Sequence, residues 1–204
     1  MKTLMVTYLP RGERSYTKKL ADAFLEGIKN QPIESLDLLK DIPGFFMETS
    51  LEAYIQRNYM GQKLDAVHQK AIATMDRMTA QFKGADIVVL ATPMHNFSLP
   101  GCVKTYFDSI LLKSETWDIQ DGKFIGLMTG KKALILLASG GIYEGPMASW
   151  EHAVSLARVE FQLMGFSDIR AVTASGMNAG KRQPEEIVAE AQEKVRAITR
   201  EWYK

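Results

Sequence analysis

Short apolar runs alternate along the chain with longer segments in which apolar residues recur every three or four positions. The short runs predict β-strands, and the longer periodic segments predict amphipathic helices. Strands are predicted at residues 2–8, 33–38, 85–92, 133–138 and 169–174. Helices are predicted between them and after the last strand, at residues 16–30, 64–82, 103–110, 149–164 and 184–203. Strands and helices therefore alternate along the chain.

This alternation predicts an α/β fold in which a parallel sheet carries helices on both faces. The run Ile87–Ala91 is apolar at every position, which is typical of a parallel strand that is covered on both sides. With right-handed crossovers, five strands favour the strand order 2-1-3-4-5 of the three-layer flavodoxin-like fold. We expect residues 1–204 to form a single domain of this kind.

Two segments depart from the alternating pattern. Residues 41–62 contain Pro43, Gly44 and several aromatic side chains, but their periodicity is weak, so we expect an excursion from the core. Residues 114–131 are expected to form a long surface connection between a helix and the fourth strand.

Composition and charge exclude several classes of function. The 25 basic and 24 acidic residues leave a net charge of +1, which provides no electrostatic attraction for nucleic acid or for an anionic membrane. The single cysteine, Cys102, excludes an internal disulfide and a multi-cysteine metal site, and the three histidines lack metal-ligand spacing. No apolar run approaches the roughly 18 residues of a membrane span. We therefore expect a cytoplasmic protein that binds no metal, membrane or nucleic acid.

A ligand of such a sheet binds at the carboxyl ends of the strands, where the strand order reverses. This rule selects the loops 9–17, 92–100 and 139–145 as the candidate site. The first loop opens a helix and carries Ser15, Thr17 and the cation Arg14. A helix N-terminus with hydroxyl groups suits a phosphate, although Ser15 is equally suited to cap the helix while the arginines of the loop are solvated.

The second and third loops suit a flat ring. Loop 92–100 combines two prolines with Met94, Phe97 and the donor–acceptor amide of Asn96, so it can form an apolar wall with one polar edge. The alternative is that Met94 and Phe97 both fill the core beneath the loop. In the third loop, Gly140 and Gly141 permit close approach of the backbone to a ligand, or form a plain tight turn.

A phosphate end, an apolar wall and a donor-lined edge together form the anatomy of a flavin mononucleotide (FMN) pocket. The segment Pro93–Pro100 resembles the P-M-Y-N-F-x-x-P loop of the FMN-dependent NADH:quinone oxidoreductases known as azoreductases, with His95 in place of tyrosine. Ser139–Ile142 is similar to their S-x-G-G-I loop, and Ser15–Thr17 is similar to their S-x-S phosphate segment. The resemblance spans nearly the whole chain.

The resemblance implies FMN as cofactor and a homodimer with sites at its interface. NADH or NADPH would reduce the flavin, and a quinone or azo compound would take two electrons from the same face, which imposes ping-pong kinetics. It implies that the phosphate contacts come from Ser15, Tyr16 and Thr17. The ring contacts would come from the second and third loops, at Pro93, Met94, His95, Asn96, Phe97, Ser139, Gly140, Gly141 and Tyr143.

Within this resemblance no side chain is a certain catalytic residue. His95 and Tyr143 are candidate proton donors, and His95 is equally suited to be a loop residue whose ring faces solvent. Residues 45–59 are expected to form walls of the substrate site or to cap the sheet. Leu9 and Pro10 stand where these enzymes usually have a serine, which removes one phosphate contact.

Rival functions are distinguished by particular residues. A phosphoryl-accepting receiver domain needs acidic residues where Leu9 and Thr92 stand, and an α/β hydrolase needs a G-x-S-x-G segment that the chain lacks. An electron-carrying flavodoxin is usually acidic because it docks on basic partners, which the net charge near zero disfavours. A flavin-dependent regulatory protein without quinone reductase activity remains a second alternative.

Overall fold

The computed structural model describes residues 1–28 and 31–204. Its strands, in chain order, are β1 (Thr3–Thr7), β2 (Ile33–Asp37), β3 (Ile87–Pro93), β4 (Trp117–Gln120), β5 (Lys123–Gly126), β6 (Lys132–Ser139) and β7 (Asp168–Ser175). Its α-helices are α1 (Tyr16–Gly27), α2 (Glu48–Tyr54), α3 (Ala66–Lys83), α4 (Gly101–Ile110), α5 (Ala153–Leu163) and α6 (Pro184–Trp202).

The main sheet has five strands in the order β2-β1-β3-β6-β7, and every neighbouring pair is parallel. The hairpin β4–β5 stands outside the main sheet, so β6 and β7 are the fourth and fifth strands of that sheet. The order is therefore the predicted 2-1-3-4-5, which confirms the predicted α/β flavodoxin-like fold. The order reverses between β1 and β3, so the carboxyl ends of these two strands lie side by side, next to that of β6.

The two helical layers explain the continuous apolar run of β3. Val88 and Leu90 belong to a buried cluster with side chains of α3, α4 and α5, including Phe107 and Phe161. Val89 belongs to a second buried cluster, on the other face, that includes side chains of α1 and α6. Alternate side chains of a strand point to opposite faces, so a central strand between two helical layers is apolar at every position.

The excursion at 41–62 contains regular structure that the sequence pattern did not reveal. Helix α2 continues into one turn of π-helix at Ile55–Tyr59. The buried positions of α2 and the π-helical turn are the small or polar residues Ser50, Ala53 and Asn58, whereas Leu51 and Tyr59 are exposed. The apolar periodicity that marks a helix with one buried face is therefore absent.

Other element boundaries also differ from the predicted ones. The connection 114–131 contains the antiparallel hairpin β4–β5, which turns through Asp121 and Gly122, both with positive φ. The helix predicted at 149–164 begins at Ala153, because a 3₁₀ segment occupies Gly145–Trp150. Helix α1 ends at Gly27, and the last two positions of the predicted helix, 29 and 30, lie outside the described residues.

Across residues 1–28 and 31–204, the structure contains no helix of sufficient length and apolar character to cross a bilayer. The same ranges contain no group of three or more His, Cys, Asp or Glu side chains arranged to hold a metal ion.

Candidate functional site

An open cleft with an interior volume of about 160 Å³ lies at the carboxyl ends of β1, β3 and β6, where the strand order reverses. Residues from all three predicted loops line it. From the sites predicted by the sequence, the cleft brings together Ser15, Tyr16, Thr17, Pro93, Met94, His95, Ser139 and Gly140.

The N-terminus of α1 forms one end of the cleft. Ser15 is its N-cap, and the Ser15 Oγ accepts a hydrogen bond from the Lys18 N–H at 3.3 Å. The capping role that the sequence allowed for Ser15 is thus present. Capping by a serine leaves other backbone N–H groups of the first turn without partners inside the helix, and these groups are suited to an anion.

The Thr17 hydroxyl has an unusual environment for a buried group. Thr17 is 1% exposed, and its Oγ1 has no hydrogen-bond partner among the described residues, although the residue lines the cleft. A buried hydroxyl without a partner destabilises a protein by about 1–3 kcal/mol. A phosphate oxygen in the cleft would supply the missing partner, so this end of the cleft fits the phosphate of FMN.

The second loop turns tightly beside the cleft. The backbone N–H groups of His95 and Ser98 each donate to the carbonyl oxygen of the other at 3.0 Å, and Asn96 and Phe97 between them have φ values of +45° and +70°. The Phe97 carbonyl accepts a hydrogen bond from the His152 N–H at 2.8 Å. Left-handed backbone at a phenylalanine is strained. The hydrogen bond from the His152 N–H therefore helps to hold the turn in this conformation.

The turn directs Asn96 and Phe97 away from the main cleft. They line an adjoining recess with Trp150 and His152, and the Phe97 ring meets the rings of Trp150 and Tyr143 edge to face at centroid distances of 5.2 and 6.0 Å. Phe97 is 40% exposed, so it does not fill the core beneath the loop. Asn96 and Phe97 do not line the main cleft in this structure, and their contacts with the flavin ring stay a prediction.

The glycine loop is held by the loop that follows β7. The Gly176 N–H donates to the carbonyl oxygens of Ser139 and Gly141, and the Asn178 N–H donates to that of Gly140 at 2.9 Å. Gly140 lines the main cleft, whereas Tyr143 lines a second recess behind Met94. Gly141 lies against Tyr143, because a Cβ built at Gly141 would be 3.1 Å from the Tyr143 Oη.

The cleft also contains residues that sequence reasoning did not select as ligand contacts. Pro10 and Arg11 reach it from the loop after β1, and Met177 and Asn178 reach it from the loop after β7. The rule about carboxyl ends of strands applies equally to β7, and Gly176 at φ +87° is a turn signal after that strand. Extending the rule to the fifth strand would have found Met177 and Asn178.

The segment 45–59 does not line the cleft of its own chain. It packs on α3 and on the segment after α4 instead: Ala53 shares a buried cluster with Ile72 and Met75 of α3, and the Lys113 N–H donates to the Tyr54 Oη at 3.0 Å. Burial raises the pKa of Tyr54, so this phenol stays neutral. The expectation that the segment forms substrate walls stays a prediction.

A parallel sheet in this order, with a cleft at the point of strand reversal, defines a flavodoxin-like protein. A protein family described as having the flavodoxin-like fold matches residues 1–198. An FMN-dependent NADH:quinone oxidoreductase of Exiguobacterium sp. is 31% identical over 98% of this chain and 96% of the relative. Another from Nitratidesulfovibrio vulgaris is 32% identical over 87% of each chain.

Solved structures of azoreductases are also similar to this chain. The structure of an FMN-dependent NADH-azoreductase from Bacillus anthracis in complex with FMN superposes with a TM-score of 0.90, at 29% identity over the whole of both chains. The azoreductase AzrA superposes with a TM-score of 0.89 at 28% identity, over 98% of this chain and 99% of that one. The present chain belongs to the flavodoxin-like fold family and, within it, to the FMN-dependent NADH:quinone oxidoreductases and azoreductases.

Proposed function

We propose that this protein binds FMN in the cleft and transfers two electrons from NADH or NADPH to a quinone or an azo compound. The observation that carries the proposal is the buried hydroxyl of Thr17. It has no partner among the described residues, and Thr17 lines the cleft at the N-terminus of α1. The names of the relatives support the same cofactor and the same substrate classes.

In this proposal the protein binds and orients, and the cofactor supplies the redox chemistry. When bound, FMN provides a ring that accepts a hydride and delivers two electrons to a second substrate. Ser15, Tyr16 and Thr17 would hold its phosphate. Met94 and His95 would border one face of the ring, and the backbone at Gly140 would lie along its edge, where no side chain intervenes.

The turn at 95–98 positions this wall. Its backbone is held by the His95–Ser98 hydrogen bonds and by the bond from the His152 N–H to Phe97. The His95 ring also meets the Tyr8 ring edge to face at 5.9 Å, which orients it at the mouth of the cleft. His95 and Tyr143 are the candidate proton donors to a reduced product.

We also propose that residues 1–204 form one flavin-binding domain and that two such chains form a homodimer. Residues 45–60 expose six large apolar side chains, each 37–70% exposed: Phe45, Met47, Leu51, Ile55, Tyr59 and Met60. Clustered exposed apolar groups are typical of a surface that a partner covers. In a dimer this segment could line the partner's cleft. It would then form the predicted substrate walls, although it does not line the cleft of its own chain.

The decisive experiment combines cofactor analysis with steady-state kinetics. The purified full-length protein should be yellow and should release FMN on denaturation. NADH oxidation should require a quinone or azo acceptor, and double-reciprocal plots for the two substrates should be parallel. Colourless protein that fails to bind added FMN would overturn the proposal. Protein that binds FMN but does not oxidise NADH would be an electron carrier or a regulatory protein instead.

A further inference from the structure

The loop after β1 brings a formal positive charge to the phosphate end of the cleft. Arg11 lines the cleft together with Ser15 and Thr17, and its neighbour Pro10 forms part of the same wall. The backbone N–H groups of a helix N-terminus and a threonine hydroxyl are neutral donors. Arg11 is therefore the residue at this end of the cleft that carries full charge.

The cations that follow Arg11 in sequence are mostly engaged elsewhere. The Lys18 Nζ contacts Asp22 at 2.9 Å and Glu13 at 3.4 Å, and the hydrogen bond to Asp22 raises the pKa of Lys18. The Lys19 Nζ lies over the Tyr16 ring, 5.4 Å from its centroid. Both acidic groups near the loop, Glu13 and Asp22, are thus occupied by Lys18.

Arg11 has no such engagement. Within residues 1–28 and 31–204, its guanidinium makes no ion pair and no hydrogen bond to a side chain or to the backbone. Arg14 is likewise exposed and without an ion pair among these residues, but it does not line the cleft. The two arginines therefore differ in position, because Arg11 lines the cleft and Arg14 does not.

Hydrogen bonds order the backbone of the loop that carries Arg11 before any ligand binds. The Gly12 N–H donates to the Leu9 carbonyl at 2.9 Å, and the Ser15 N–H donates to the Gly12 carbonyl at 3.0 Å. Gly12 has a φ of +52°, which favours glycine, and Pro10 restricts the chain before the turn. This ordering lowers the conformational entropy that binding would cost.

We propose that Arg11 selects a phosphate monoester dianion by pairing its guanidinium with the phosphate of FMN. The inference rests on the proposed function and adds a specificity-determining residue to it. A planar guanidinium pairs with two oxygens of one phosphate in a fork geometry, which a neutral hydroxyl cannot do. The buried, unpartnered Thr17 hydroxyl is an independent observation that points to an anionic oxygen at the same end of the cleft.

The test measures flavin affinity in the full-length, flavin-stripped protein. FMN and riboflavin are titrated by flavin fluorescence into the wild type and into the Arg11→Gln, Arg11→Lys and Arg14→Gln variants. Arg11→Gln should weaken FMN binding by about tenfold, which is the order of one charge-assisted pair at an exposed side chain. Riboflavin affinity should not change, because riboflavin has no phosphate.

The remaining variants and the salt dependence separate pairing from a general effect. Arg14→Gln should change FMN affinity less than twofold, since Arg14 does not line the cleft. Arg11→Lys should lie between the wild type and Arg11→Gln, because it keeps the charge but loses the fork. Added salt should weaken FMN binding more steeply in the wild type than in Arg11→Gln.

The outcomes distinguish failure of this inference from failure of the proposed function. If the wild type binds no FMN, the proposed function is wrong. If the wild type binds FMN and Arg11→Gln binds it as tightly, Arg11 does not contact the phosphate. Equal weakening of FMN and riboflavin, or equal effects of Arg11→Gln and Arg14→Gln, would also overturn the role of Arg11.

Discussion

Gly140 lies so close to Asn178 that a Cβ built on Gly140 would be 2.8 Å from the Asn178 Nδ2. The two residues come from different loops, and the hydrogen bond from the Asn178 N–H to the Gly140 carbonyl holds them together. Both line the cleft. The glycine is therefore needed for the position of an amide side chain that borders the candidate flavin site.

Gly140→Ala should weaken FMN binding by several-fold, because the new methyl group displaces the Asn178 amide at the cleft. The amide is the exposed end of a flexible side chain, so we expect a loss of stability below about 1 kcal/mol. Fluorescence titration and urea unfolding measure the two effects. The double variant Gly140→Ala/Asn178→Ala should recover affinity relative to Gly140→Ala. Additive effects of the two changes would contradict the proposed contact.

Thr17→Val should weaken FMN binding while making the flavin-free protein more stable. Valine keeps the shape of threonine and removes the buried hydroxyl that lacks a partner. The free energy of unfolding without flavin should rise by about 1 kcal/mol, whereas affinity for FMN should fall about tenfold and affinity for riboflavin should not change.

Ser15→Ala provides the matched control for Thr17→Val. It removes the hydroxyl that caps α1 and should destabilise the flavin-free protein by about 1 kcal/mol. The two neighbouring hydroxyl deletions thus have opposite signs in the same unfolding measurement. If Thr17→Val also destabilised the flavin-free protein, its hydroxyl would have a structural role, and the argument for a phosphate contact would lose its main support.

Gly126→Ala should be strongly destabilising. A Cβ at Gly126 would lie 2.2 Å from the backbone nitrogen of Gly165, so the end of β5 would have to move away from the turn after α5. We expect a loss of about 3 kcal/mol in the free energy of unfolding, at the upper end of overpacking effects. Gly101→Ala is the control, because its added methyl meets no atom within 4 Å. Equal stability of both variants would contradict the close backbone contact.

Glu160 should make stability depend on pH. Burial raises the pKa of its carboxyl above the usual value, and the Lys104 ammonium at 3.7 Å only partly opposes that shift. The folded state therefore binds the proton more tightly than the unfolded state. The Glu160 carboxyl costs stability progressively as pH rises from the unfolded pKa, about 4.3, through the raised folded pKa.

Glu160→Gln removes this titration. The free energy of unfolding of the Gln variant, minus that of the wild type, should become more positive between about pH 4 and about pH 7. Urea unfolding at the two pH values measures the change. A difference that becomes more negative would mean that Lys104 stabilises the ionised carboxylate more than burial opposes it.

Much of the fold could be predicted from local pattern, because a central parallel strand must be apolar on both faces. Ile87–Ala91 shows this directly, and its neighbours in the structure are the predicted strands. Helix α2 escaped detection because it buries Ser50 and Ala53 and exposes Leu51. The hairpin β4–β5 was missed because its strands are short and partly exposed, so alternation over four residues is too weak a signal.

The sequence by itself determined the alternation of strands and helices, the type of sheet and the loops at its carboxyl edge, since each depends on residues close together in the chain. Only the tertiary structure decided which side chains share the cleft. Arg11 and Asn178 both line it because lateral pairing of strands brings distant loops together. Phe97 turns aside because of its left-handed backbone and the hydrogen bond from His152. Strand pairing and side-chain direction depend on contacts between residues that are far apart in sequence. A local sequence pattern does not predict such contacts.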